Sequence, residues 1–171
     1  MTHARKPPGL GAPLEFLRRV WELNHALAQL SSKMERTIGV TAQQRLVLRC
    51  VGKRPGITAS ELAGLLHLDR GTVSASLARL TERGLMLGCD DPTDGRRVAL
   101  ALTASGRKLD VTSTGTVEHA VDSLLRHTPP AEIEAAALVL SRLAELMRTA
   151  LVGDAASAAR AKRKSRKVKV K

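Results

Sequence analysis

Three sets of residues in this chain have the types and spacing to do chemistry, and all three suit the binding of an anion. One is the run Asp91-Pro92-Thr93-Asp94-Gly95-Arg96-Arg97, where turn formers carry two guanidinium groups. Cations at such a tip reach backbone phosphates or a neighbouring minor groove. A second set, Arg70, Thr72, Ser74 and Arg79, falls along one periodic segment, with Thr58 and Ser60 upstream. The third is Arg160, Lys162, Arg163, Lys164, Arg166, Lys167, Lys169 and Lys171, eight cations with no acid among them. No nucleophile, base and orienting group fall together, and no phosphate loop or carboxylate pair stands out, so no enzyme is expected. His119 and His127 are eight residues apart, about two helical turns, too far to share an ion without other ligands. Neither a metal nor another cofactor is expected. Cys50 reads as a small hydrophobe in a packed face. Cys89 sits beside the basic run, where a nearby cation would lower a thiol pKa.

Composition narrows the partner. The net charge is +12, and the eight cations of residues 160–171 leave only +4 to residues 1–159. Such a balance points to an anionic partner. Aromatics are confined to Phe16 and Trp21, which argues against single-strand binding by base stacking. A core must then come from Leu, Val, Ala and Ile, which favours interlocking helices over a sandwich of sheets. No disulfide framework, apolar leader or bilayer-spanning stretch is present in the sequence, so a reducing, cytoplasmic location away from membranes is expected.

Several elements must position these residues. Residues 1–13 read as a flexible arm around the PPGLGAP stretch. A helix over 14–38 places Leu17, Val20, Trp21, Asn24, Leu27, Ser31 and Met34 on one stripe. Thr41 with Gln44 is a capping box opening a second helix to about 53, with Leu46, Val47, Cys50 and Val51 inward. Thr58 with Glu61 opens a third, burying Leu62, Leu65 and Leu66 and ending near His67. Asp69 caps a fourth over 70–83, whose inward stripe is Val73, Leu77 and Leu80. Its other face shows Gly71, Thr72, Ser74, Ala75, Ala78, Arg79 and Glu82, small enough for the helix to lie in a major groove. The short turn between the third and fourth helices suits a helix-turn-helix unit. A strand over 85–87 and another through Val98, Leu100 and Leu102 make a hairpin around the basic run. Thr103 caps a fifth helix, kinked at Thr112-Ser113-Thr114-Gly115, and Thr128-Pro129-Pro130 opens a sixth with a long apolar stripe to Leu151. That stripe and the first helix exceed what the small middle domain can bury, which points to a dimer.

From Gly39 to Leu109 the chain resembles the MarR family of winged-helix transcription regulators. The likeness rests on Gly39-Val40-Thr41, Glu61-Leu62-Ala63, Leu80-Thr81-Glu82-Arg83-Gly84-Leu85, and above all Asp91-Pro92-Thr93-Asp94-Gly95-Arg96 followed by Leu102-Thr103 and Gly106. It implies a homodimer on pseudo-palindromic double-stranded DNA, with the fourth helix in a major groove and the wing in the adjacent minor groove. It also implies that Arg96 is the wing arginine and that Asp94 fixes the loop. The sequence departs from the family's pattern at Ala75, Gly88 and Cys89, and in its Lys-rich tail. Direct base readout is therefore expected to be thin, with more left to phosphates and DNA shape.

These readings give a mainly α fold with a small β-hairpin: a winged helix-turn-helix plus N- and C-terminal dimerisation helices. The domains expected are an arm over 1–13, a winged-helix domain over 14–151 and a basic disordered tail over 152–171. Within the domain, the helix-turn-helix and wing occupy 57–102, and the dimerisation helices about 14–38 and 103–151. The function expected is a sequence-specific DNA-binding transcription repressor. Specificity would come from Arg70, Thr72, Ser74 and Arg79, wing contact from Asp94, Arg96 and Arg97, and backbone contact from Thr58 and Ser60. The resemblance also implies release by a small aromatic or lipophilic effector in a crevice near Trp21. An alternative stays open: an architectural protein coating DNA with little sequence preference, driven by the tail.

Overall fold

Local capping fixes where most helices begin. The computed structural model describes residues 9–90 and 97–168. They form two compact units, Met1–Val121 and Asp122–Lys171. In the first unit, helix α1 (Ala12–Ile38) carries proline in its opening turn and stops at Gly39, whose φ of 78° is left-handed. Helix α2 (Ala42–Lys53) opens with both halves of the Thr41–Gln44 capping box formed. Helix α3 (Ala59–Leu66) repeats the device with Thr58 and Glu61. Asp69 caps α4 (Arg70–Glu82) by accepting from Thr72 N–H at 2.8 Å. Between α3 and α4 the chain turns through His67, a non-glycine residue at φ 52°. That turn completes the helix-turn-helix.

Strands β1 (Met86–Asp90) and β2 (Val98–Leu102) pair antiparallel, with Met86 opposite Leu102 and Asp90 opposite Val98. Gly56 N–H donates to Leu100 O, and Leu100 N–H donates to Ile57 O, so the segment before α3 extends the ladder onto β2. The core lies between α2, α3, α4 and this hairpin: Val40, Val47, Leu48, Val51, Ile57, Leu62, Val73, Leu80, Met86, Leu100 and Leu102 are all buried. Of α1, only Met34 is buried. Ser31, which interrupts that helix's apolar stripe, accepts the Ala42 N–H at 3.0 Å and so satisfies a donor in the first turn of α2.

Four expectations need correction here. The inward face of α2 is turned by about one residue: Gln44, Arg45, Val47, Leu48 and Val51 are buried, whereas Leu46 is 45% exposed. The helix is packed on two sides, by α1 and by α4, so its buried band is wider than one stripe. In α3, Leu65 is exposed and Ala63 takes the interior place, because eight residues present only a narrow buried face. In β2, Val98 is exposed while Leu100 and Leu102 keep the inward alternation. The expected kinked fifth helix is two helices, α5 (Ala104–Leu109) and α6 (Val117–His127), divided by residues 110–116. Gly115 at φ 77° and Thr116, which accepts the His119 N–H, restart the helix there.

Gly106 in α5 is required by contact. A Cβ built on it would lie 1.9 Å from the Leu85 carbonyl oxygen. The same oxygen accepts the Thr103 N–H, so the α5 backbone lies directly against the start of the hairpin.

A buried charge ties residues 110–116 to α2. Arg45 is 1% exposed and donates from Nη1 to Leu109 O and from Nη2 to Val111 O, each at 2.7 Å. Its Nε lies 2.6 Å from Glu118 Oε1. That approach falls outside hydrogen-bond direction, so the contact is ionic rather than a directed bond. One turn later Arg49 lies 3.2 Å from Asp110 Oδ1 and donates to Asp110 O.

In the second unit, helix α7 (Pro130–Val168) begins after Pro129, whose carbonyl accepts from Glu132 and Ile133. Leu138, Val139, Leu140, Leu146, Met147 and Leu151 are exposed along it. The tail expected to be disordered from 152 is helical to Val168. Ala155, Ala156, Ala158, Ala159 and Ala161, interleaved with Lys and Arg, are strong helix formers. Helix formation there does not require a hydrophobic stripe. Lys169 and Lys171, and residues 1–8, lie outside the described residues.

Candidate nucleic-acid interface

The outer face of α4 is built from small residues and two long cations. Arg70, Ser74, Ala75, Ala78 and Arg79 are exposed, while Val73, Ser76 and Leu80 face the core. The helix is held from below by α2 and α3. Thr72, expected to read bases, is partly committed: its hydroxyl donates to Asp69 Oδ2 and its N–H to Asp69 Oδ1. These bonds hold the Asp69 carboxyl below the usual carboxylate range, the Thr72 hydroxyl first and its backbone second. Thr72 thus keeps only acceptor capacity for a ligand.

Beside this face, the first turn of α2 and the middle of α4 enclose a polar cleft of about 270 Å³. Thr41, Gln43, Thr72, Ala75, Ser76 and Arg79 line it. Gln43 Nε2 donates to Ser76 Oγ at 3.2 Å, and Ser76 Oγ donates to Thr72 O at 3.0 Å. Gln43 was not among the residues expected to act. Its only mark in the sequence is its place two residues after a helix cap, which many buried or solvated glutamines share.

At the base of the wing, Arg97 donates from Nη2 to Glu61 Oε1 at 2.7 Å. The other oxygen of Glu61 accepts the Thr58 N–H and hydroxyl. Those two bonds lower the Glu61 pKa most, and Arg97 adds a smaller effect. Thr58, Ser60, Arg97 and Val98 line one shallow surface, so the structure brings the expected backbone candidates next to Arg97. Asp94 and Arg96 lie outside the described residues, as do Asp91, Pro92, Thr93 and Gly95. The cations from Arg160 to Lys167 lie on the last part of α7, in the second unit.

Among the described residues no cluster of three His, Cys, Asp or Glu could hold a metal ion. No helix among them is long and apolar enough to cross a membrane. Cys89 is exposed; Cys50 is half-buried, and burial pushes its thiol pKa up.

A helix-turn-helix followed at once by an antiparallel hairpin, with helices on both sides, defines a winged helix-turn-helix protein. Residues 38–97 match the sequence profile of the MarR family. A putative transcriptional regulatory protein for the hcr operon of Thauera aromatica is 32% identical over 81 residues, covering 47% of this chain and 49% of that protein. The transcriptional regulator HosA of Escherichia coli O111:H- is 36% identical over 70 residues, covering 41% of this chain and 52% of that protein. The chain thus spans about half the length of these curated relatives. The crystal structure of the transcriptional regulator SlyA superposes with a TM-score of 0.62 at 25% identity, covering 76% of this chain and 92% of that one.

Proposed function

We propose that this chain is a homodimeric transcription regulator that binds a pseudo-palindromic duplex. Helix α4 enters a major groove and the wing, with Arg96 as its contacting arginine, reaches the adjacent minor groove. The observation that carries the reading is the outer face of α4. Ser74, Ala75 and Ala78 leave it nearly flat, Arg79 supplies a cation, and the capped helices α2 and α3 hold it in place. A flat, exposed helix face on a fixed scaffold is what close approach to base edges requires. Arg70, Ser74 and Arg79 serve recognition, Thr72 accepts only, and Thr58 and Ser60 contact the backbone. Arg97 anchors the wing to α3 through Glu61.

Dimerisation is supported by apolar surface that each unit leaves uncovered. Leu14, Leu17, Trp21 and Leu27 are exposed on α1, and Leu140, Met147 and Leu151 on α7. Faces of this kind are a liability on a monomer. The regulator acts as a repressor, and a small aromatic or lipophilic effector near Trp21, itself 62% exposed, releases it. Release follows if the effector favours a dimer whose two α4 helices are wrongly spaced.

The cations of residues 160–171 favour a second reading, in which the chain coats DNA with little sequence preference. Selection from a random duplex pool separates the two. The comparison sets the natural chain against a full-length variant with those eight cations changed to Gln. Recovery of one palindrome by both supports the regulator. Failure of the variant to select any sequence overturns it in favour of the architectural protein. In the same assay Arg96→Ala should weaken specific binding, and unchanged affinity would remove Arg96 from the interface.

A further inference from the structure

We infer that Gln43, on α2 and outside the helix-turn-helix, reads an adenine and so sets part of the sequence preference; the inference rests on the DNA-binding reading above. Its side chain is exposed, and it shares the cleft at the outer face of α4 with Ala75 and Arg79. The Ala75 methyl leaves that cleft open, where a longer side chain would fill it.

The hydrogen bonding fixes which way the Gln43 amide faces. A serine hydroxyl has one hydrogen, and that of Ser76 is donated to Thr72 O. Towards Gln43 the oxygen can only accept, so the Gln43 amide must present its NH2 group there. Ser76 is 6% exposed, and its place in α4 is set by the packing of Val73 and Leu80 beside it. The amide therefore cannot flip without stranding the Ser76 contact. What remains for a ligand is one N–H donor and the Oε1 acceptor, on the same planar group. This is the complement of the adenine major-groove edge, where N7 accepts and N6–H donates. Guanine shows two acceptors on that edge and offers Oε1 no donor.

Helix α4 contributes few long polar side chains of its own here. Thr72 has its hydroxyl hydrogen on Asp69, and Ala75 has no polar atom. A reader held against α4 by Ser76 extends the recognition surface by one residue from a neighbouring helix. Ser76 touches no base and acts as a positioning residue.

The test is selection of duplexes from a random pool by the natural full-length chain, Gln43→Ala and Ser76→Ala, with melting curves for each. The natural chain should select a palindrome. Both variants should lose preference at one symmetric pair of adenine positions while keeping the rest. Direct titration should then show discrimination at that position falling by roughly 5- to 150-fold, the range for a lost two-bond base contact. A uniform loss across all sequences would show that Gln43 holds phosphate or only packs, and overturns the inference. An unchanged preference overturns it too. If the natural chain selects no palindrome, the DNA-regulator reading fails and this inference falls with it.

Discussion

Replacing Arg45 with Met should destabilise the winged-helix unit more than any surface substitution. The side chain is nearly solvent-free, and Met keeps an unbranched apolar stem, shorter than arginine's, without the guanidinium. Three groups would lose their partner: the carbonyls of Leu109 and Val111, each 2.7 Å from a guanidinium nitrogen, and the Glu118 carboxylate. Removing one partner of a buried charge pair costs about 3–5 kcal/mol. Hydrogen bonds from a charged donor add about 1.5–3 kcal/mol each, so two of them alone account for a loss of that size. The Glu118 side chain keeps 24% of its exposure, which screens part of the lost attraction and favours the lower end. At roughly 2–4 °C per kcal/mol, Tm should fall by about 6–20 °C. Urea unfolding followed by circular dichroism, at fixed protomer concentration, measures the loss. Adding Glu118→Gln to Arg45→Met should restore part of it, because no carboxylate is then stranded. A coupling of about 0.5–3 kcal/mol is expected between the two sites. A single-variant loss under about 1 kcal/mol, or strictly additive effects, would refute the description of this pair as a buried clamp.

Other outcomes follow from single contacts. Gly106→Ala should cost about 1–3 kcal/mol by overpacking against the Leu85 carbonyl, and a melting curve matching the natural chain would contradict that contact. His67→Gly should raise stability by about 0.5–1 kcal/mol, since the left-handed backbone strains a side chain and not a glycine; a loss of stability would mean the imidazole has an unrecognised role. The caps give an acid dependence of definite sign. Asp69 and Glu61 have folded pKa values below their ordinary 3.8 and 4.5. Their contribution is therefore complete above those ordinary values and is lost as pH falls through the lowered ones. Asp69→Asn keeps a good cap at neutral pH but should flatten that acid limb in pH-dependent unfolding, and an unaltered limb would assign it to other carboxylates.

Much of the scaffold could be read from residue order because its signals are local. Two capping boxes, Asp69 before α4 and the glycine after α1 each act within a few residues. What residue order hides is contact between distant segments. Arg45 looks like a solvent-facing cation in an amphipathic helix until residues 109–118 fold over it. Leu46 looks like core until α2 is packed from two directions. Gln43 gains its partner 33 residues away, so no periodicity could assign it. The helix beyond residue 151 was concealed for another reason: alanine and lysine favour helix without leaving a hydrophobic stripe.

The pairing of cations inside the first unit changes how its charge should be counted. Arg45, Arg49 and Arg97 face Glu118, Asp110 and Glu61, and Arg18 lies within an acidic pair on α1. On duplex DNA each phosphate neutralised by a free cation adds about 0.9 to the slope of log affinity against log salt. A guanidinium already neutralised by a neighbouring carboxylate releases few counterions when DNA arrives. Glu61 also keeps its charge at neutral pH, so it holds Arg97 back throughout the physiological range. The net charge of +12 is thus an inventory of the chain and a poor guide to its polyelectrolyte behaviour. On the proposed function, any hold of residues 160–171 on DNA should answer to ionic strength far more than that of the winged helix.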